Sequence, residues 1–291
     1  MTQEIAKQIL ERVGLDVGAA PKITAFKSEE DGAEYAVWKV ETVVKTYVLK
    51  EAKENEVALH KAYLSIESLA LPHLYGVTRH GERDYLVMEY VHGKTLRSLD
   101  RPSITLALDA LINLQRHFWG ASEPVDAVGF EDFLARRRAR GQHLGDERLE
   151  QAYDGYLEQF QSLPRTLCHD DLLPFNVMAT DDRAVLIDWE TAGILPYPTS
   201  LARLLAHGEN TPDAFFHLTD EDRAFAVSYY YENLIREKGI SYEDYRRALA
   251  FCFLYEYCEW VMLGNKYGNT ETERFKRYFA LAKALAETLI K

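Results

Sequence analysis

The first third of the chain changes hydrophobic period twice. Ile5, Ile9, Leu10 and Val13 recur at the spacing of one helix face, so residues 1–15 predict an amphipathic helix. From residue 21, PKITAFKSEEDGAEYAVWKVETVVKTYVLKEA alternates apolar and polar positions, is rich in Val, Thr and Tyr, and breaks at SEEDG and again at 41–45. This predicts three short antiparallel strands. ENEVALHKAYLS then puts Val57, Tyr63 and Leu64 on one helix face, and LPHLYGVTRHGERDYLVMEYV holds two β-rich runs on either side of His80-Gly81-Glu82-Arg83. That tetrad has hairpin-turn composition. Residues from about 20 to 91 therefore predict a five-stranded antiparallel sheet with one inserted helix.

Beyond Thr95 the period becomes helical, in SITLALDALINLQRHF, FEDFLARRRARG and LEQAYDGYLEQFQSL, and is interrupted only around 166–190. The junction falls at GKTL, residues 93–96. The expectation is an α+β chain with an N-terminal domain over 1–91 and a mainly helical domain over 92–291. Inside the interruption, VMA and AVLI are strand-like runs separated by Thr180-Asp181-Asp182-Arg183, which predicts a second hairpin.

Composition excludes more than it selects. With 291 residues, 47% of them hydrophobic, the chain can bury a full core. Its net charge of -12 argues against a nucleic-acid backbone as partner. The largest local acidic excess lies in residues 97–200, and an acidic site suits divalent cations or cationic substrates. The three cysteines, Cys168, Cys252 and Cys258, have no C-x-x-C spacing, so neither a disulfide framework nor a zinc site is expected, and a reducing, cytoplasmic location is. The first fifteen residues lack the basic and apolar segments of a targeting peptide, and no apolar run reaches the roughly 20 residues that span a bilayer. No membrane role is expected.

The candidate chemistry lies in CHDDLLPFNVM, residues 168–178. Folding the VMA/AVLI hairpin brings its first and last residues together, so Asn176 and Asp188 are expected at one open end, with Asp171 delivered there by the preceding loop. Two oxygen donors form half a shell for Mg²⁺, which takes carboxylate or carbonyl ligands and completes itself with water and phosphate. A further acid can orient or deprotonate a hydroxyl. Phosphoryl transfer needs this equipment, because the reaction is mostly positioning and charge neutralisation.

The pattern H-x-D-x-x-x-x-N, followed by a hydrophobic strand ending I-D-W-E, resembles the catalytic loop and metal-binding segment of the aminoglycoside phosphotransferase and choline kinase superfamily, which shares a bilobal fold with the protein kinases. His169, Asp171, Asn176 and Asp188 fall on those positions without gaps. The resemblance implies ATP, with GTP the alternative, and Mg²⁺. It casts Asp171 as the base, His169 as the support of its loop, and Asn176 and Asp188 as metal ligands. YVLK, ending at Lys50, looks like the family's ATP-lysine strand, Glu56 like the lysine's helix partner, and the main chain around Glu89 and Val91 like the hinge that meets adenine.

Several positions depart from the family pattern. Asp170 stands where a small residue is usual, and is expected either to face solvent or to act on its neighbour by like-charge repulsion. The phosphate-covering loop would be KSEEDGAEY, with Gly32 its one glycine, and TSLARLL supplies Ser200 where the family often has aspartate; Ser200 is expected to cap that helix. Glu190 is expected at the metal shell or the substrate, or simply at an exposed strand end.

The acceptor is expected to be a small-molecule hydroxyl. FCFLYEYCEWVMLGNKYGN, with Glu256, Glu259, Tyr257 and Trp260, could enclose a cation such as an amino sugar or amino alcohol, although aromatics at helical spacing are more often core. A protein acceptor is disfavoured by the lack of an A-P-E segment or a long activation segment after Asp188. The alternative from another class is a non-catalytic pseudokinase or scaffold on the same fold. Nothing in the sequence sets an oligomeric state.

Overall fold

The computed structural model describes all residues except 19, 28–31, 182, 212–213 and 291. The chain forms two compact units. The first comprises Met1–Lys94, Pro124–Ala127 and Met178–Thr191, and the second Thr95–Glu123, Val128–Val177 and Ala192–Lys291.

In the first unit the strands β1 (Lys22–Lys27), β2 (Glu34–Glu41), β3 (Thr46–Ala52), β4 (Leu74–His80) and β5 (Arg83–Glu89) make the expected antiparallel sheet, in the order β1-β2-β3-β5-β4. The helix α1 (Gln3–Arg12) is capped by the Thr2 hydroxyl, which accepts the Ile5 N–H. Of its predicted apolar stripe, Ile9 and Leu10 are buried, together with Ala6, against Val40, Tyr47, Leu49, Tyr85 and Val87, while Ile5 and Val13 are partly buried beside them. Each large aliphatic buried there stabilises by about 1.5–3 kcal/mol.

Strand periodicity then decides where Lys50 goes. Tyr47 and Leu49 point into the α1 core, so Lys50 must project from the opposite face. There it meets α2 (Glu54–Ala62), which is shorter than its pattern suggested. Tyr63 leaves the helix at φ −135°, and Leu64 is fully buried in the turn beyond. Residues Glu56 to His60 are all buried, so α2 is enclosed on more than one side.

The β4–β5 turn depends on Gly81 at φ +62°. The second hairpin forms as predicted from Val177–Ala179 and Ala184–Leu186 and is docked by the Leu186 N–H on the Ala70 carbonyl at 2.9 Å. Gly93 passes so close that a Cβ would lie 2.6 Å from the Ala179 carbonyl oxygen. Of the loop expected to cover phosphate, residues 28–31 lie outside the described residues.

The second unit is mainly helical, with α3 (Arg101–His117), α4 (Phe130–Gly141), α5 (Glu147–Ser162), α6 (Pro198–Ala206), α7 (Asp220–Tyr230), α8 (Tyr242–Tyr267) and α9 (Glu273–Leu289). Among the strand pairs that were not anticipated, Arg165–Cys168 runs antiparallel to Gly193–Pro196. Four residues ending in proline carry little strand signal. The buried Gln115 of α3 fastens this pair, donating to the Tyr197 carbonyl at 3.1 Å and receiving the Thr166 hydroxyl on its own carbonyl at 2.9 Å. The strand that leads into residues 168–178 is therefore tied to the centre of the unit.

Candidate active site

The first unit assembles a lysine between two carboxylates. Lys50 Nζ lies 2.8 Å from Glu56 Oε1 and 2.6 Å from Asp188 Oδ1. Glu56 is 1% exposed, whereas the Asp188 side chain is 51% exposed. Burial alone would lower the Lys50 pKa, but the two carboxylates outweigh it and the net shift is upward. Glu56 is raised by burial, with Lys50 opposing. Lys50 is thus a fixed cation with an open anion beside it.

Asp188 adopts φ +66°, a left-handed conformation uncommon for a residue with a side chain. Its neighbours hold it there. The Trp189 indole is buried and donates to the Leu186 carbonyl at 3.1 Å, while Asn55 Nδ2 donates to the Glu190 carbonyl at 3.1 Å. Glu190 itself pairs with Lys53. At the expected hinge, the Glu89 N–H donates to the His73 carbonyl at 2.8 Å, and its carboxylate accepts the His73 N–H at 3.2 Å. Val91 is buried beside it in sequence.

The second unit shapes residues 168–177 around a buried histidine. His169 is fully buried, and its backbone N–H donates to Ser200 Oγ at 2.9 Å. His169 Nδ1 accepts the Asp171 N–H at 3.3 Å, which assigns the ring proton to Nε2 and makes the histidine a brace for the loop. Asn176 closes the loop: its Nδ2 donates to the Asp171 carbonyl at 2.8 Å. The amide orientation follows, since Oδ1 there would oppose another oxygen, and Oδ1 is left as the atom able to face a cation.

Ser200 does not cap α6 as expected. The N-cap is Tyr197, with no side-chain cap bond, and the serine hydroxyl serves His169 instead. Asp170 does not face solvent. It lies 2.6 Å from Arg137, whose guanidinium also donates to the Tyr156 hydroxyl and sits over the Phe160 and Tyr255 rings. Burial lifts the Asp170 pKa to about 6 against the pull of Arg137.

Asp171 is bound by a residue that sequence reasoning missed. Arg203 Nε and Nη2 both donate to Asp171 Oδ1, at 3.0 and 2.7 Å, and Arg203 Nη1 lies 2.9 Å from Glu256 Oε2 and 3.4 Å from Glu259 Oε2. Glu256 also meets His207 Nε2 at 3.1 Å, and Glu259 pairs with Arg140. Burial would raise the Glu256 pKa, but Arg203 and His207 reverse the shift and lower it.

The cation cage expected from 251–269 is corrected accordingly. Glu256 is 2% exposed and already faces the protein's own guanidinium. Trp260 stacks on Tyr278 with ring centroids 5.7 Å apart and carries Arg274 at 4.6 Å, while Tyr257 packs 6.0 Å from Tyr278. A charged residue inside the apolar run TSLARLLA was the available signal for Arg203. Arg137 had none, being one of several arginines in FLARRRARG.

Among the described residues no group of three or more His, Cys, Asp and Glu side chains could hold a metal, and no helix is long and apolar enough to cross a membrane. In the first unit the exposed Asp188 carboxylate offers hard oxygens of the kind Mg²⁺ takes; in the second, Asn176 Oδ1 is an oxygen of the same kind.

This α+β architecture is that of the kinase-like phosphotransferases. A thermostable mutant of aminoglycoside phosphotransferase APH(4)-Ia, in ternary complex with AMP-PNP and hygromycin B, superposes with a TM-score of 0.63 at 15% identity, covering 98% of each chain. Choline kinase from Cryptosporidium parvum Iowa II gives 0.61 at 14% identity, over 98% of this chain and 96% of that one. A choline/ethanolamine kinase family protein from Mesorhizobium loti gives 0.61 at 16%, over 99% and 95%. No curated protein matches the sequence closely enough to count as a relative. The phosphotransferase enzyme family matches residues 22–234, and the chain belongs to that family. It is an enzyme of the small-molecule kinase class.

Proposed function

We propose that this enzyme transfers the γ-phosphoryl group of ATP to a hydroxyl of a small molecule. The observation that carries the reading is the Lys50 ammonium held between buried Glu56 and exposed Asp188. A cation so fixed is suited to nucleotide phosphates, and an open carboxylate beside it to Mg²⁺.

In this reading Lys50 contacts the α- and β-phosphates, with the Glu89–Val91 main chain meeting the adenine. Asn176 and Asp188 would hold Mg²⁺, which would supply positive charge to neutralise the phosphates. Asp171 orients the acceptor hydroxyl. The acceptor oxygen forms a bond to the γ-phosphorus as the bond to the β-bridging oxygen breaks; ADP leaves, and the hydroxyl proton passes to Asp171 or to water. His169 braces the loop and takes no proton. Because Glu256 is engaged by Arg203, the reading does not require a cationic acceptor; amino sugars, amino alcohols and neutral polyols all belong in the screen. GTP belongs there as an alternative donor, and a cytoplasmic location suits either nucleotide.

The test is product formation from [γ-³²P]ATP across that acceptor panel, with wild type and Asp171→Ala. Labelled product from wild type alone supports the reading. No product with any acceptor, together with intact nucleotide binding, favours the pseudokinase alternative.

A further inference from the structure

Arg203 is nearly buried, and its fork is fully used. Nε and Nη2 converge on one oxygen of Asp171, and Nη1 faces Glu256 and Glu259. Every anchor of this fork is itself held. Glu256 is fixed by His207 Nε2, whose Nδ1 meets the Tyr278 hydroxyl at 2.8 Å, and Glu259 accepts from the Tyr255 hydroxyl at 2.9 Å and pairs with Arg140. Asp171, by contrast, stands on a loop with its side chain 39% exposed, and its Oδ2 has no hydrogen bond among the described residues. A carboxylate on a loop would otherwise sample several rotamers. Two charge-assisted bonds to Oδ1 leave one orientation and dedicate Oδ2 to whatever approaches from solvent.

We propose that Arg203 is a positioning residue for catalysis: it anchors Oδ1 of Asp171 to the α8 carboxylates and presents Oδ2 to the acceptor hydroxyl. The inference rests on the kinase reading above. Arginine is required rather than any cation, because only a planar fork can serve Asp171 with one edge and Glu256 with the other; a lysine carries the charge but not that geometry. The same arrangement ties acceptor orientation to α8, so changes on that helix reach the reacting oxygen through Arg203.

Arg203→Lys and Asp171→Asn, singly and combined, test this by steady-state kinetics, with thermal unfolding as the control for folding. Arg203→Lys keeps the charge, so it is expected to fold. Its kcat should fall about 100-fold, the scale of a misplaced reacting group, while KM for ATP stays within about twofold. In the Asp171→Asn background the same change should have less than about a threefold further effect, because the oxygen it positions is no longer a carboxylate's. The double variant Arg203→Gln/Glu256→Gln, which removes one charge of each sign, should show the same loss if Arg203→Lys proves unstable. Wild-type kcat in a folded Arg203→Lys, or effects that multiply in the Asp171→Asn background, would overturn the inference alone. Absence of product from wild type would instead remove the kinase reading and this inference with it.

Discussion

Lys50 and Asp188 lie 138 positions apart in sequence, and their charged atoms are 2.6 Å apart in the structure. The lysine is also joined to Glu56, so one ammonium serves one buried carboxylate and one open carboxylate. The buried partner fixes the lysine; the open one is available to a ligand.

Removing the cation strands Glu56. Lys50→Met leaves a carboxylate that is 1% exposed without its partner, and breaking a buried pair on one side costs about 3–5 kcal/mol. Adding Glu56→Gln should recover part of that loss. Urea denaturation of the two variants against wild type measures both steps. A Lys50→Met protein as stable as wild type would contradict the pairing.

Asp171 is expected to matter for turnover and little for the nucleotide. Asp171→Asn should lower kcat by about 100- to 10,000-fold, the range for a positioned acid–base group, with nucleotide affinity within a few-fold of wild type. Single-turnover kinetics and equilibrium titration with a fluorescent ATP analogue separate the two quantities. Retained turnover would remove the role assigned to this residue.

Buried His60 and half-buried Asp170 give opposite pH dependences. Burial, aided by Lys50, lowers the His60 pKa from 6.5 to about 3, so the unfolded chain holds the extra proton between those values and stability falls as pH drops through that window. Asp170 is raised from 3.8 to about 6, so the folded chain holds the proton there, and stability falls as pH rises from about 4 to 6. In wild type the two slopes partly cancel. Relative to wild type, His60→Gln should lose less stability on acidification from pH 6 to 4.5, and Asp170→Asn should lose more. Each difference should approach 1.4 kcal/mol per pH unit, measured by denaturant melts at a series of pH values. Parallel curves for all three proteins would refute both assignments.

The sheet was readable from sequence because its strands alternate cleanly and its turns carry Gly81 or polar clusters. Asp188 was placed by the hairpin it follows, and Lys50 and Glu56 by resemblance to the family's motifs; Lys50 lies inside Thr46–Ala52 and Glu56 in the first turn of Glu54–Ala62. What escaped were relationships set by tertiary packing. Gly193–Pro196 is too short to signal a strand, and Ser200 looks like a cap until the buried His169 N–H claims its hydroxyl. Glu256 and Glu259 looked like a cation site because period alone identifies a carboxylate on a helix face, not the cation opposite. Arg203, on a different helix, supplied that cation.

The most direct test of the nucleotide site is thermal unfolding with ATP, with and without Mg²⁺, on wild type and Asp188→Ala. At ~100 times its dissociation constant the ligand should add roughly 2.7 kcal/mol, raising Tm by a few degrees for a chain of this size. A Mg²⁺-dependent shift in wild type that is absent in Asp188→Ala is the predicted result. An equal shift in both proteins would contradict the metal role of Asp188, and no shift in wild type would contradict the nucleotide site itself.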